Sequence, residues 1–511
     1  MELNKMKQLL YSLVFLSSCL VSAQVDVKFV EDYIEKARKD WNVPGIAVAI
    51  VKDGKVVLSE GYGVKEKGEK GKVDADTQFA IASNTKAFVA SCIARLVDEE
   101  KLSWKDKVRS YLPYFSLYGD EYISSMVTIE DLLCHRVGLG TFSGDVIWYK
   151  SEKTAKEIIT QAAYVPKAFE FRDGWGYSNL MFITAGEVIR KVTGSSWEDY
   201  VIANFIRPLE MDNTVISIAD LNENAATPHK PTLDRGTVPS VWASWDAPSA
   251  AGGIISSAND LSKWLLMNLN GGSWNGRKYI GQEQQNLMWT PHNTFKLSER
   301  SKEMLPGRHF SGYGLGWSLM DYHGTMAVSH GGGYDGMYSR VMMVPDLNLG
   351  VAVLTNSMEG ISTPLAYYIV NQYLRKDMRD WSAEYLERAR TNNGHKEDVA
   401  ERKSARVMGT KPLIKESEKK GTYFDPMYGN IEVSEVEGAL RISFQDASKL
   451  SATLSHWHYD TYEIKWDEEH AWFDFGTVSF ILSNNLEVVG LEFNVPNGDI
   501  YFDELHPKKM N

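Results

Sequence analysis

The 511-residue chain is 43% hydrophobic and 24% charged, proportions of a globular protein that buries a sizeable core, and its length leaves room for more than one domain. A net charge of −12 argues against a nucleic-acid binder, which would carry a basic face. Three cysteines are too few for a disulfide-stapled scaffold.

Residues 1–23 have the grammar of a cleaved leader: Lys5 and Lys7, an apolar run from Leu9 to Val21, then a small-residue cleavage site ending at Ala23. The run is short for a membrane span, and no later stretch is apolar enough to cross a bilayer. A secreted or periplasmic protein is expected. Cys19 after "LSS" offers lipidation as the alternative.

After the leader, "IAVAIVKDGKVVLSEGYG" reads as a β-hairpin turning at Asp53-Gly54. "NTKAFVASCIARLVDEE" follows as a helix whose apolar residues recur near a 3.6 period. Cys92 on that helix reads as a buried thiol, and pairing with Cys134 stays open. From about 125 to 270 the chain is mostly helical, broken by Gly-rich loops. Strands return from about 312 in "YGLGWSLM", "GTMAVSH", "YSRVMMVP" and "LGVAVLTNS", followed by a helix near 363–376. Strands at both ends with helices between predict an α+β fold: one antiparallel sheet flanked by helices, with a helical insertion, over residues 24–376. Residues 377–418 are polar without apolar period and read as a linker. Residues 419–511 alternate apolar and polar in "LRISF", "VSFIL", "VGLEF" and "DIYF", with a tight turn at Asn497-Gly498; they predict a small all-β, barrel-like accessory domain. His456 and His458 alternate on one of its strands but lack a third metal ligand. Trp457, Trp466 and Trp472 read as core.

Three short motifs carry chemistry. Ser83-Asn84-Thr85-Lys86 opens the first long helix. A serine hydroxyl needs a base to act as a nucleophile, and a desolvated lysine one turn away can serve; an N-capping serine is the structural alternative. The motif alone is weak, because Ser417 to Lys420 repeats it. Tyr177-Ser178-Asn179 places a phenol and an amide in a Gly-flanked loop. His330-Gly331-Gly332-Gly333 ends a strand run, where glycines let a backbone N–H approach an oxyanion.

Taken in this order, the three motifs resemble those of the class C β-lactamase-related serine hydrolases, a superfamily that includes penicillin-binding proteins, carboxylesterases and D-aminopeptidases. "TIEDLLCHRVGL" (128–139), "SAAGGIISSANDLSKWL" (249–265) and "VPDLNLGVAVLTN" (344–356) are similar to further segments of that family. The resemblance implies that Ser83 is acylated, that Lys86 and Tyr177 pass the proton, and that Asn179 binds a substrate carbonyl. It implies an oxyanion hole from the N–H groups of Ser83 and Gly333. His330 stands where β-lactamases carry a lysine, with Gly332 at a substrate-binding position, and is expected against Tyr177. His135 reads as a loop brace. The reaction class is hydrolysis of an ester or a peptide/amide by a serine hydrolase, on a small-molecule or peptide substrate, with no metal and no cofactor. The alternatives are a β-lactamase or D-Ala-D-Ala carboxypeptidase, or a non-catalytic peptidoglycan or β-lactam sensor.

Overall fold

The computed structural model describes residues 25–232, 235–376, 379–391 and 394–510. The leader and Cys19 lie outside the described residues.

Eight strands form one antiparallel sheet: β1 (Gly45–Lys52), β2 (Lys55–Gly63), β3 (Asn293–Thr294), β4 (Ser311–Tyr313), β5 (Ser318–Tyr322), β6 (Thr325–Tyr334), β7 (Met337–Val344) and β8 (Leu349–Thr355). Their spatial order is β2-β1-β8-β7-β6-β5-β4-β3. The β1–β2 hairpin turns on Asp53 and Gly54, both at positive φ, as a two-residue turn between twisted strands requires. The alternation along β1 explains the layering. Ile46, Val48 and Ile50 pack with Val30 and Ile34 of α1 (Val27–Asp40) and with Leu365 and Ile369 of α5 (Ser362–Leu374). Ala47, Ala49 and Val51 face the opposite core, with Phe88 of α2 (Thr85–Asp98), Phe182 of α3 (Asn179–Thr193) and Leu261 of α4 (Ala258–Leu269). Both faces of the sheet are covered, so β1 is apolar throughout rather than alternating. Cys92 and Cys134 are both buried and free.

The C-terminal strands close into a barrel: β9 (Gly421–Asp425), β10 (Gly429–Val436), β11 (Ala439–Phe444), β12 (Ser451–His458), β13 (Thr461–Trp466), β14 (Thr477–Leu482), β15 (Val488–Asn494) and β16 (Lys508–Lys509). Closure leaves few exposed strand edges. Two readings need correction here. The "DIYF" run is no strand: the Asn497 side chain ties Val495 to Ile500 into a loop, and Phe502–Glu504 makes a 3₁₀ turn. The expected linker carries two helices, α6 (Trp381–Thr391) and α7 (Gly394–Ser404). Each is anchored by few apolar residues, too few for a sustained period: Trp381 packs against Tyr367, with Tyr385 and Leu386 beside it, and Val399 against Trp457 and Phe475.

The barrel is docked on the first domain rather than tethered. Phe473 and Phe502 belong to the same apolar cluster as Phe88 and Phe182. Lys153 Nζ donates to Tyr428 O and pairs with Asp446, each at 2.9 Å. Glu504 accepts from the Gly144 N–H at 2.7 Å and from the Ser143 hydroxyl. Among the described residues no helix is long and apolar enough to cross a membrane.

Candidate active site

The chain enters α2 through a strained turn. A short strand, Phe79–Ala80, pairs with Ile255–Ser256, and Ala82 then adopts φ 48° before Ser83. A left-handed alanine costs about 1–2 kcal/mol, and hydrogen bonds hold it there. The Ser339 hydroxyl donates to Ile81 O at 2.7 Å and accepts from Asn84 Nδ2 at 2.8 Å. Ser83 sits in a 3₁₀ turn and makes no capping bond, so its hydroxyl is not spent as an N-cap. Lys86, one turn on, is fully buried. Its Nζ donates to Ser83 Oγ at 3.1 Å, Asn179 Oδ1 at 2.7 Å and Ala251 O at 2.6 Å. Burial pulls its pKa down to about 7, against the upward pull of Asp145.

Asp145 is the residue the motifs did not disclose. Its carboxylate accepts from Trp148 Nε1 at 2.8 Å and from Asn179 Nδ2 at 2.6 Å. Asn179 therefore links Lys86 to Asp145, leaving one amide N–H for a substrate carbonyl. Burial raises Asp145 to about 8, opposed by its hydrogen bonds and by Lys86.

Tyr177 is held from both sides. Its N–H donates to Thr141 Oγ1 at 3.2 Å, and its carbonyl accepts from the Phe142 N–H at 2.8 Å. His135 braces the next residue: its Nδ1 accepts from the Ser178 N–H at 3.1 Å, and its ring lies 4.4 Å from that of Tyr177. Lys86 Nζ lies 4.8 Å from the Tyr177 ring centre. The phenol hydroxyl is buried without a formed hydrogen bond. Burial pushes its pKa well up, and the adjacent Ser83 side chain opposes that.

His330 lies 6.1 Å, ring to ring, from Tyr177, but its bond is to a different phenol. Its Nδ1 faces Gly331 O at 2.6 Å, which only accepts, so Nδ1 carries the proton. Nε2 then accepts from the Tyr313 hydroxyl at 2.9 Å. Burial, reinforced by Lys86, drops its pKa to about 3 and keeps it neutral.

These groups converge on a cavity of about 330 Å³ lined by Ser83, Asp145, Tyr177, Asn179, Tyr313, His330, Gly331 and Gly333. Gly332 is not among the lining residues: a β-carbon there would lie 2.2 Å from Ile81 O, so its Cα faces the nucleophile turn. The rest of the wall is aromatic, from Phe142, Trp148, Trp175 and Trp245, and part of it comes from the barrel: Trp472, Asp499 and Ile500. Trp457, Trp466 and Trp472 all pack in or against apolar clusters, and Trp472 lines the cavity as well. Glu504 holds the segment that carries Asp145. The missed residues carry no spacing signal: Asp145 opens a 3₁₀ turn, Tyr313 ends β4, and Trp472 and Asp499 lie in barrel loops. The second Ser-x-x-Lys lies at the barrel's entry, where Lys419 pairs with Asp460 at 2.9 Å.

The Beta-lactamase family profile matches residues 30–373, two thirds of the chain. The protein belongs to the β-lactamase family. As a β-lactamase-family protein it carries an addition, a match over residues 418–508 to a domain of unknown function (DUF3471). Among curated relatives, "Unguisins hydrolase ungD" of Aspergillus violaceofuscus is 28% identical over 394 residues, 72% of this chain and 68% of that one. Among solved structures, the octameric penicillin-binding protein homologue from Pyrococcus abyssi superposes with TM-score 0.62 at 21% identity, covering 95% of this chain and 100% of its own. A D-stereospecific amidohydrolase from Streptomyces sp. gives TM-score 0.56 at 23% identity over 69% of this chain and 100% of its own. These two likenesses are of fold.

Proposed function

We propose that the protein is a secreted or periplasmic serine hydrolase that forms an acyl-enzyme on Ser83 from an ester or a peptide/amide substrate. One observation carries the reading: the Lys86 amine lies 3.1 Å from Ser83 Oγ, buried, with its pKa pulled down to about 7. A neutral amine there accepts the Ser83 proton as Oγ attacks the carbonyl carbon. The N–H groups of Ser83 and Gly333 receive the oxyanion. Tyr177, protonated and facing Ser83, hands a proton to the leaving group as the tetrahedral intermediate collapses. Water then takes the place of the leaving group, and the same pair returns the proton to Ser83. Asp145 and Asn179 orient Lys86, and the Asn179 amide steers the substrate carbonyl. Kinship with a protein named as a hydrolase supports hydrolysis as the reaction.

A fluorophosphonate probe tests it. One adduct is expected, on Ser83, absent in Ser83→Ala. Lys86→Ala and Tyr177→Phe should each slow labelling by about 10²–10⁴, the worth of a positioned acid or base, and less than multiplicatively together because they share one proton path. An adduct on another serine, such as Ser417, would overturn the mechanism.

A further inference from the structure

The barrel brings one acidic residue to the cavity wall, and among the described residues its side chain has no partner. Asp499 lines the cavity together with Ser83 and Tyr177. Among the described residues nothing donates a hydrogen bond to its carboxylate or pairs with it, although its pKa is raised to about 6 by burial alone. A half-buried carboxylate without a partner is unfavourable, and folded proteins retain such groups where a ligand supplies the missing charge. Nor is the placement loose. Asn497 Oδ1 accepts from the N–H groups of Asp499 and Ile500 at 2.9 and 2.6 Å, and its Nδ2 donates to Val495 O and Ile500 O, each at 2.8 Å. One side chain thus fixes the loop that presents Asp499.

The remaining wall fits the same ligand charge. No lysine or arginine lines the cavity among the described residues, and His330 is neutral; Lys86 and Arg340 stand behind the wall on the His330 side. Asp145 shares the cavity, and Asp499 pushes its pKa upward, so the two carboxylates feel one another. Four indoles, of Trp148, Trp175, Trp245 and Trp472, contribute aromatic surface. Aromatic faces next to an acid attract an ammonium group through the ring quadrupole and repel a carboxylate.

We infer that Asp499 of the C-terminal barrel is a specificity-determining residue that selects substrates bearing a free ammonium group, such as an aminoacyl amide or a peptide with an unblocked amino terminus. The inference takes the cavity beside Ser83 as the substrate site, as proposed above. It gives the barrel a defined part: the first domain supplies the nucleophile, and the barrel reads the charge of the acyl donor.

Calorimetric titration of the full-length protein at pH 8, where carboxylate and amine are both charged, tests this without turnover. The probes are phenethylamine, its N-acetyl derivative and 3-phenylpropionate, which share a ring and differ in charge. The amine should bind at least tenfold tighter than either of the others. Asp499→Asn should erase that preference, while Asp503→Asn, an exposed carboxylate on the same segment, should keep it. Asp499→Ser repeats the test should the Asn variant fail to fold. Equal affinities, no measurable amine binding, or a preference that survives in the Asp499 variants overturns the inference. Fluorophosphonate labelling is read separately. Selective amine binding without a Ser83 adduct refutes the hydrolase reading and leaves the ammonium site standing; an adduct without amine selectivity does the reverse.

Discussion

Trp472 lies against Gly333: a β-carbon built on that glycine would come within 3.2 Å of the indole Cη2. The barrel therefore touches the strand that carries His330 and the proposed oxyanion donor, and glycine at 333 leaves room for it. Trp472 is half-buried, so Trp472→Ala should cost little thermal stability. It removes one wall of the cavity and should raise KM about tenfold, some 1.4 kcal/mol of binding, with kcat nearly unchanged. Steady-state kinetics on a small ester and a melting curve check this. A loss of kcat with unchanged KM would mean the indole positions the reacting groups and does not bind substrate.

The pH dependence follows from Lys86. Its amine must be neutral to accept the Ser83 proton, and its pKa is pulled down to about 7. The value of kcat/KM should therefore rise with pH through an apparent pKa near 7 and fall about tenfold per unit below it. Asp145 pulls the Lys86 pKa upward and Lys86 pulls that of Asp145 downward, so the limb belongs to the pair. Asp145→Asn removes that upward pull and should move the limb to lower pH. It should also lower kcat. The carboxylate accepts from both Trp148 Nε1 and Asn179 Nδ2, whereas one end of the replacing amide is itself a donor and cannot accept from either. A limb that stays in place in the variant would show that the two groups are not coupled.

The parts of the site that were legible are those joined by short spacings. Ser83 and Lys86 are three residues apart on one helical face, and Tyr177 and Asn179 two apart at the entry to α3. The unbroken apolar run from Ile46 to Val51 and the Asp53-Gly54 turn likewise announce a hairpin with one buried strand. Asp145 reaches Asn179, 34 residues on, and Trp472 and Asp499 come to the cavity from the barrel, so none of them shares a short spacing with Ser83 or Tyr177. Glu504 reaches Gly144 across 360 residues, and no local pattern records such a contact. The polar stretch after α5 misled for a related reason. Its helices hold on through Trp381, Tyr385 and Leu386 in α6 and Val399 in α7, a few apolar positions per helix that make too short a stripe to read as a period.

Gly332 is a steric test of the nucleophile turn. The space its β-carbon would need is occupied by Ile81 O at 2.2 Å and Ser339 Oγ at 2.4 Å. The first is backbone and cannot swing aside. The second is the hydroxyl that holds Ile81 O and Asn84 in place. Gly332→Ala should therefore displace Ala82 and Ser83 and cut kcat by about 10² or more, the usual cost of a shift near 1 Å at reacting atoms. Ser339→Ala removes the same tie without adding bulk and should lose less. A Gly332→Ala enzyme with full kcat would show that the strained turn tolerates movement.

The charge around the cavity decides which acyl donors are poor. His330 donates from Nδ1 to Gly331 O and accepts on Nε2 from Tyr313, with its pKa near 3, so it stays neutral across the working range. The chargeable groups on the wall are Asp145 and Asp499. A β-lactam carries a carboxylate, and among the described residues no lysine or arginine lines the cavity to receive it. Nitrocefin should be turned over slowly, with kcat/KM below about 10⁴ M⁻¹s⁻¹, the low end for working enzymes. His330→Lys puts an ammonium beside Tyr313 in the same cavity. It should improve nitrocefin relative to a neutral ester by about five- to thirtyfold, the 1–2 kcal/mol of one charge-assisted hydrogen bond. Tyr313→Phe supplies the control. It removes the donor on Nε2 without adding charge, so it should perturb both substrates alike and leave their ratio unchanged. Efficient nitrocefin hydrolysis by the unaltered protein, near 10⁶ M⁻¹s⁻¹ in order of magnitude, would mean that a carboxylate is accommodated without a fixed cation. The exclusion of anionic acyl donors by Asp499 would then fall with it.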